Sequence, residues 1–302
     1  AASQKIKKAQ YNLALNYIYG TYGVVDLDKA LYYSKLGADQ NDAKCQFLFG
    51  SLLLYANPRR RDVNKAIYYL QLASKQNHPV ARYFLGIIYS NGIFVPRDFN
   101  KAFYYLKMSA DQNNAFAQCH VGVLYLKGEG VKRDFEKAIY YINLAAKQNH
   151  SEAYYLLGSM HFNGDYYKKD PTKAIYYFAL AASMNHLLAL SYLGIFYTYG
   201  IYVKQDIHKA IYYYTIAANM NDIDAQYSLG IIYFSGMYIS RDINKSIQYL
   251  SLSANRNHKM SEFLLATIFI SGEYIHQDIE MAIRYYKMAS SLNCQYSKNN
   301  LG

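Results

Sequence analysis

The sequence offers no run of about 18 consecutive apolar residues, the length a helix needs to cross a bilayer, so it reads as a soluble chain. It also lacks the apolar core of a signal peptide, because the charged start Gln4-Lys5-Ile6-Lys7-Lys8 leads straight into helix-like sequence. Cysteine is scarce: Cys45, Cys119 and Cys294 are odd in number and far apart, which speaks against a disulfide framework or a CxxC metal knuckle and points to a reducing, cytoplasmic compartment. Asn149-His150-Ser151 and Asn244-Lys245-Ser246 match the glycosylation sequon no more often than chance allows in so Asn-rich a chain. No P-loop, HExxH, GxSxG or GxGxxG context occurs, and Gly128-Glu129-Gly130 has no strand before it. The expectation is a non-catalytic chain with no cofactor and no metal. An initiator Met is absent too, and Ser297, Leu301 and Gly302 fall in register with Ala225, Leu229 and Gly230, halfway through a unit, so the chain is expected to be a piece of a longer protein.

What the sequence has in abundance is repetition. Asp98 has counterparts at Asp26, Asp62, Asp134, Asp170, Asp206, Asp242 and Asp278, and Asn113 at Asn41, Asn77, Asn149, Asn185, Asn221, Asn257 and Asn293, always 36 residues apart. A fixed period of this size marks a solenoid, in which each unit buries its apolar face against its neighbours. Residues 1–302 are therefore read as one domain of eight units and part of a ninth.

Each unit carries two helical patterns. In helix B, Ala102, Tyr105, Leu106, Ser109 and Ala110 recur at the spacing of one buried face. Asp98 stands at its N-cap and Asn113 at its left-handed end, and Asp170-Pro171 supports a helix start there. Helix A runs over about His78 to Asn91 and ends at Gly92. Its mid-helix glycines, Gly50, Gly86, Gly122, Gly158, Gly194 and Gly230, cost helix stability and so imply that helix B is pressed against the backbone there.

The order Ala117, Val121-Gly122, Tyr125, Gly128-Glu129-Gly130-Val131, Asp134, Lys137-Ala138, Tyr140-Tyr141, Ala145-Ala146 resembles the Sel1-like repeat, a relative of the tetratricopeptide repeat, and the likeness extends from Ala9 to Gly302. Three features depart from the family pattern: Asn149 and its equivalents stand where Gly is usual, Met281 replaces a Lys, and Ala56 replaces a loop Gly beside Pro58-Arg59-Arg60-Arg61, which makes that loop irregular. The resemblance implies an all-α, right-handed α-solenoid of tandem 36-residue helix-turn-helix repeats with helices A lining a concave side. It also implies an adaptor or assembly scaffold that binds proteins.

Two surfaces are candidates for a partner. The first is the variable face of helix A: Phe84 and Ile87, then Phe116, His120 and Val123, then Leu188, Tyr192, Ile195 and Tyr199, then Ile231. Apolar residues on a face expected to meet solvent mark a protein or peptide site, against the alternative that they pack on adjacent units. The second is a basic edge before the capping Asp: Arg59, Arg60, Arg61, Arg97, Lys132, Arg133, Lys168, Lys169, Lys204 and Arg241. With a formal charge of +11, it favours an acidic partner, and RNA is the alternative to protein; the bland reading is a set of solvated loop charges. Bases read by helical repeats need polar groove residues, and this groove is apolar.

The remaining columns look structural. His78, His150, His186 and His258 are read as solvated turn residues, since successive repeats lie too far apart to share a metal. Cys119-His120 does not form a catalytic pair, being adjacent on a helix. Tyr33, Tyr69, Tyr105, Tyr141, Tyr177, Tyr213, Tyr249 and Tyr285 are read as interface filler.

Overall fold

The computed structural model describes residues 2–290 apart from Tyr22, Pro58 and Arg60, so Asn293, Cys294 and the part of a ninth repeat lie outside the described residues. Among the described residues there are sixteen helices and no strand. The chain divides into two compact units, Ala1–Ala153 and Tyr154–Gly302. The first holds α1 (Ala2–Tyr19), α2 (Leu27–Asp39), α3 (Ala43–Tyr55), α4 (Val63–Lys75), α5 (Pro79–Asn91), α6 (Phe99–Ala110), α7 (Ala115–Lys127) and α8 (Phe135–Lys147). After α9 (Ser151–Asn163) the second holds α10 (Pro171–Ser183), α11 (Leu187–Tyr199), α12 (Ile207–Asn219), α13 (Ile223–Ser235), α14 (Ile243–Ala254), α15 (Lys259–Ser271) and α16 (Ile279–Ser290). Odd-numbered helices are A and even-numbered are B. Within each unit A packs on its own B and B on the next A, an all-α solenoid of 36-residue helix pairs.

Local chemistry sets every boundary. Asp26, Asp62, Asp98, Asp134, Asp170, Asp206, Asp242 and Asp278 each accept the amide three residues on, at 2.9–3.1 Å, which satisfies a first-turn donor of helix B. These amide bonds hold the carboxyls of Asp26, Asp62, Asp98, Asp134, Asp170 and Asp242 below the usual carboxylate range. At the other end, Asn41, Asn77, Asn113, Asn149, Asn185, Asn221 and Asn257 all take left-handed φ values of 57–65°, and the amides around Asn113 return to Ala110 and Ser109 carbonyls. Helix A ends on left-handed Gly92, Gly128, Gly200, Gly236 and Gly272. Ala56, in the same register, is right-handed, and Arg61 Nε donates to Leu54 O at 2.8 Å instead, so this loop is irregular as expected.

The A–B contact is closest at the mid-helix glycines. A Cβ built on Gly158 would sit 2.8 Å from the fully buried Phe178 ring, and one on Gly230 would sit 2.5 Å from Leu250 Cγ. Gly50, Gly86, Gly122 and Gly194 meet Leu70, Leu106, Ile142 and Tyr214 in the same way. Beside them Ala30, Ala66, Ala102, Ala138, Ala174 and Ala210 are wholly buried. Where Ser246 replaces that Ala, its hydroxyl donates to Gly230 O at 2.8 Å.

The helix B tyrosine column is interface, as read, but it has a partner column on helix A. Tyr17–Tyr33, Tyr89–Tyr105, Tyr125–Tyr141, Tyr197–Tyr213 and Tyr233–Tyr249 stack with centroids 5.7–6.0 Å apart and planes within 14°. His161 and Phe269 take the helix A place in the stacks on Tyr177 and Tyr285.

Gly130 marks the tightest approach between repeats, because a Cβ there would run into the Phe99 carbonyl and its φ is +69°. Gly130→Ala should therefore lower unfolding free energy by about 2 kcal/mol or more in urea denaturation, from backbone strain added to overpacking. An unchanged midpoint would contradict that contact.

Candidate functional site

On the helix A face of the first unit, Phe116 is exposed while Phe84, Ile87, His120 and Val123 are half-buried. Phe84 meets Phe47 and Tyr55 edge-on, at 5.2 and 6.3 Å. Ile87 packs on the cluster around Leu106 and Val121. His120 Nδ1 lies 2.9 Å from Phe116 O, with its ring against Tyr83.

In the second unit the face is more open. Leu188 and Ile195 are 51% and 39% exposed and Tyr199 is 72% exposed, at i, i+7 and i+11 on α11, a helix without one charged side chain. Ile231 is half-buried. Tyr192 departs from the expectation that this face lies off the packing side: its ring stacks on fully buried Phe178 at 5.1 Å and 2°, and also touches Tyr155, Phe162 and Phe196. It packs against the helix B ring that lies on Gly158, which spacing alone does not reveal.

The basic edge is exposed, but it is not a set of freely solvated charges. Arg61 lies over Phe94 at 4.9 Å, Lys169 over Tyr202 at 5.7 Å, and Arg241 over Tyr274 at 4.6 Å, each ring belonging to the next repeat's loop. Arg97, whose next loop offers Gly130, covers its own Phe99, and Arg133 covers Phe135 at 4.3 Å. Arg59, Lys132, Lys168 and Lys204 are exposed in the same loops, and Arg60 lies outside the described residues. The aromatic partner of the next loop sits 33 residues on, a signal readable in the sequence once the loops are known to touch.

The histidine column also differs from its expectation. Rather than solvated turn residues, His78, His186 and His258 are half-buried N-caps of helix A, their Nδ1 atoms accepting the amides of Ala81, Ala189 and Ser261 at 3.2, 3.4 and 3.2 Å. Their rings lie on Phe47, Tyr155 and Tyr227, and the His150 ring lies on Phe116. The clue was present in Asp42, Asn114 and Asp222, which occupy the same register and are ordinary N-cap residues.

One constellation has the atoms of an acyl-transfer triad. His258 Nε2 is 3.9 Å from Asp224 Oδ1, and its Nδ1 is 2.8 Å from Ser261 Oγ. Ser261 is fully buried, however, and its hydroxyl lies 2.6 Å from Ser253 Oγ, so no acyl donor reaches it. Burial pushes the Cys45 and Cys119 thiols up to about 12, which suits packing and not nucleophilic attack. Among the described residues no group of three or more His, Cys, Asp or Glu is arranged to hold a metal ion, and no helix is long and apolar enough to cross a membrane.

A family model described as the Sel1 repeat matches residues 7–42, 43–78, 79–114, 115–150, 151–186, 187–222, 223–258 and 259–294. Among solved structures, a Sel1 repeat protein from Oxalobacter formigenes is 27% identical with a TM-score of 0.78, over 87% of this chain and 76% of that one. The protein c5321, a protective antigen of uropathogenic Escherichia coli with an SLR fold, is 24% identical with a TM-score of 0.77. That match covers 98% of this chain, which spans 63% of the length of c5321. No curated protein matches the chain.

If the loop cations are staples, Lys169→Gln and Arg241→Gln should each lower stability by about 0.5–1 kcal/mol, read from urea midpoints. Wild-type midpoints in both variants would restore the solvated-charge reading.

Proposed function

Because the chain belongs to the Sel1 repeat family, whose members are generally protein-interaction scaffolds, we propose that it is a non-catalytic cytoplasmic adaptor holding a protein or peptide on the exposed face of its A helices. The observation that carries this reading is α11, which exposes Leu188, Ile195 and Tyr199 on one side while bearing no charge at all. An apolar strip of this kind is stable in solution only at a cost in hydration, and covering it with a partner recovers that cost. Phe116, with His120 and Val123 beside it, is the corresponding patch of the first unit. The +11 charge favours an acidic partner, and the chain acts within a larger assembly.

The basic edge is the competing site, with RNA as its ligand. Its strongest cations are already engaged on rings, and phosphate binding there would weaken steeply with salt.

Energy in such interfaces concentrates in a few aromatic and apolar anchors, so Leu188→Ala with Tyr199→Ala should cost about 1–2 kcal/mol or more per site in partner recovery while leaving the melt unchanged. Tyr192→Ala is the structural control and should lower the melting temperature, since its half-buried ring packs on the buried Phe178. Undiminished recovery by the double variant removes the groove reading. Tight RNA binding at physiological salt, abolished by Arg97→Glu, Arg133→Glu and Lys169→Glu together, would put nucleic acid in its place.

A further inference from the structure

Helices α3, α5, α7, α11, α13 and α15 all start at one register position, occupied by Asp42, His78, Asn114, His186, Asp222 and His258. Each of these side chains accepts the amide of the third residue on. Aspartate and asparagine keep that acceptor across the neutral range and well below it. An imidazole does not: Nδ1 accepts only while unprotonated, and the proton that binds it ends the amide bond, leaving a donor facing a donor at His78, whereas at His258 the new N–H can turn to Ser261 Oγ, 2.8 Å away. The same rings join consecutive repeats, His78 stacked on Phe47 at 4.9 Å and His258 tilted against Tyr227 at 4.7 Å.

We propose that His78 in the first unit and His258 in the second make the starts of α5 and α15 acid-sensitive joints, closed with a neutral ring and opened by its protonation. Protonation removes the cap and sets a positive charge at the positive end of the helix dipole, so both effects act in one direction. It also charges a half-buried ring, which burial disfavours.

The groups facing each ring decide where it titrates. Around His78, burial disfavours the charged form, Lys44 of α3 adds to this, and Asp42 opposes it, leaving the ring below its ordinary pKa. Arg82 on the same helix turns to Asn77, and Lys75 of α4 is exposed. Around His258, burial again dominates, against Asp224 of α13 and Glu262 of its own helix. Glu262 is paired with Lys259 at 2.9 Å, and Arg256 donates to the Asn221 carbonyl. Because both folded-state pKa values are depressed, the stabilisation is complete above the unfolded value of about 6.5 and is lost as pH falls from there through the folded values. The helix B caps Asp26, Asp62, Asp98, Asp134, Asp170 and Asp242 survive this window, since the backbone amides they accept hold their carboxyls below the usual carboxylate range.

The test is amide hydrogen exchange of the full chain at about pH 7.5 and about pH 5, corrected for intrinsic rates. The amides of Ala81 and Ser261 should lose protection roughly five- to tenfold relative to those of Ala117 and Ala225, which Asn114 and Asp222 cap. His78→Asn and His258→Asn keep an acceptor that does not titrate, and should abolish the difference. Equal protection at both pH values in the wild type, or the same loss in the Asn variants, overturns the proposal. Nuclear magnetic resonance of the wild-type rings is an independent readout that needs no variant: titration midpoints at or above about 6.5 also overturn it.

Discussion

The close approach of helix A to helix B, at one small residue per repeat that is glycine in six of the eight and alanine at Ala14 and Ala266, is the constraint on which the other features depend. Gly50, Gly86, Gly122, Gly158, Gly194 and Gly230 let a large helix B side chain lie against bare backbone, and the wholly buried alanines beside them keep the two axes close. At that separation the tyrosine columns are brought into stacking distance, and the B–A and A–B turns are left short enough for single Asn and Gly residues to close them. Stability in such a stack is a sum of repeat and junction terms, so a small contact made repeatedly decides the fold.

Junction chemistry sits on top of this frame and varies from repeat to repeat. Cations lie on loop rings, polar side chains such as Gln118 and Gln148 bond across the turn at 2.7 Å, and histidine alternates with acidic or amide residues at the helix A cap. The invariant contacts hold the repeats; the variable ones tune how firmly each joint holds. What the fold leaves uncovered on α11 is apolar surface at Leu188, Ile195 and Tyr199.

The period, helix boundaries, caps and left-handed asparagines were legible because each is set by local backbone chemistry within a few residues. The glycine contact was legible too, since a mid-helix glycine needs a reason. Three things were not. Tyr192 shares a helical face with exposed Leu188 and Tyr199, and only the neighbouring helix B reveals that its half-buried ring packs on the core. The histidine column looked solvated because histidine is an uncommon cap, and its kinship with Asp42, Asn114 and Asp222 shows only when the register is read as a bonding position. The loop cations needed a contact between residues 33 apart, which no local rule supplies.

The glycine contact can be isolated at Gly230, where an added methyl would meet Leu250 Cγ at 2.5 Å while the nearest backbone neighbour, Leu250 N, stays 3.5 Å away. A double-mutant cycle in urea, with Gly230→Ala, Leu250→Ala and both together, measures that contact directly. Each single change should cost free energy, by overpacking in one and a cavity in the other, and the double variant should recover at least about 1 kcal/mol of the summed loss because the new methyl enters the space Leu250 vacates. Additive losses would contradict the claim that close A–B packing at this glycine holds the repeat together.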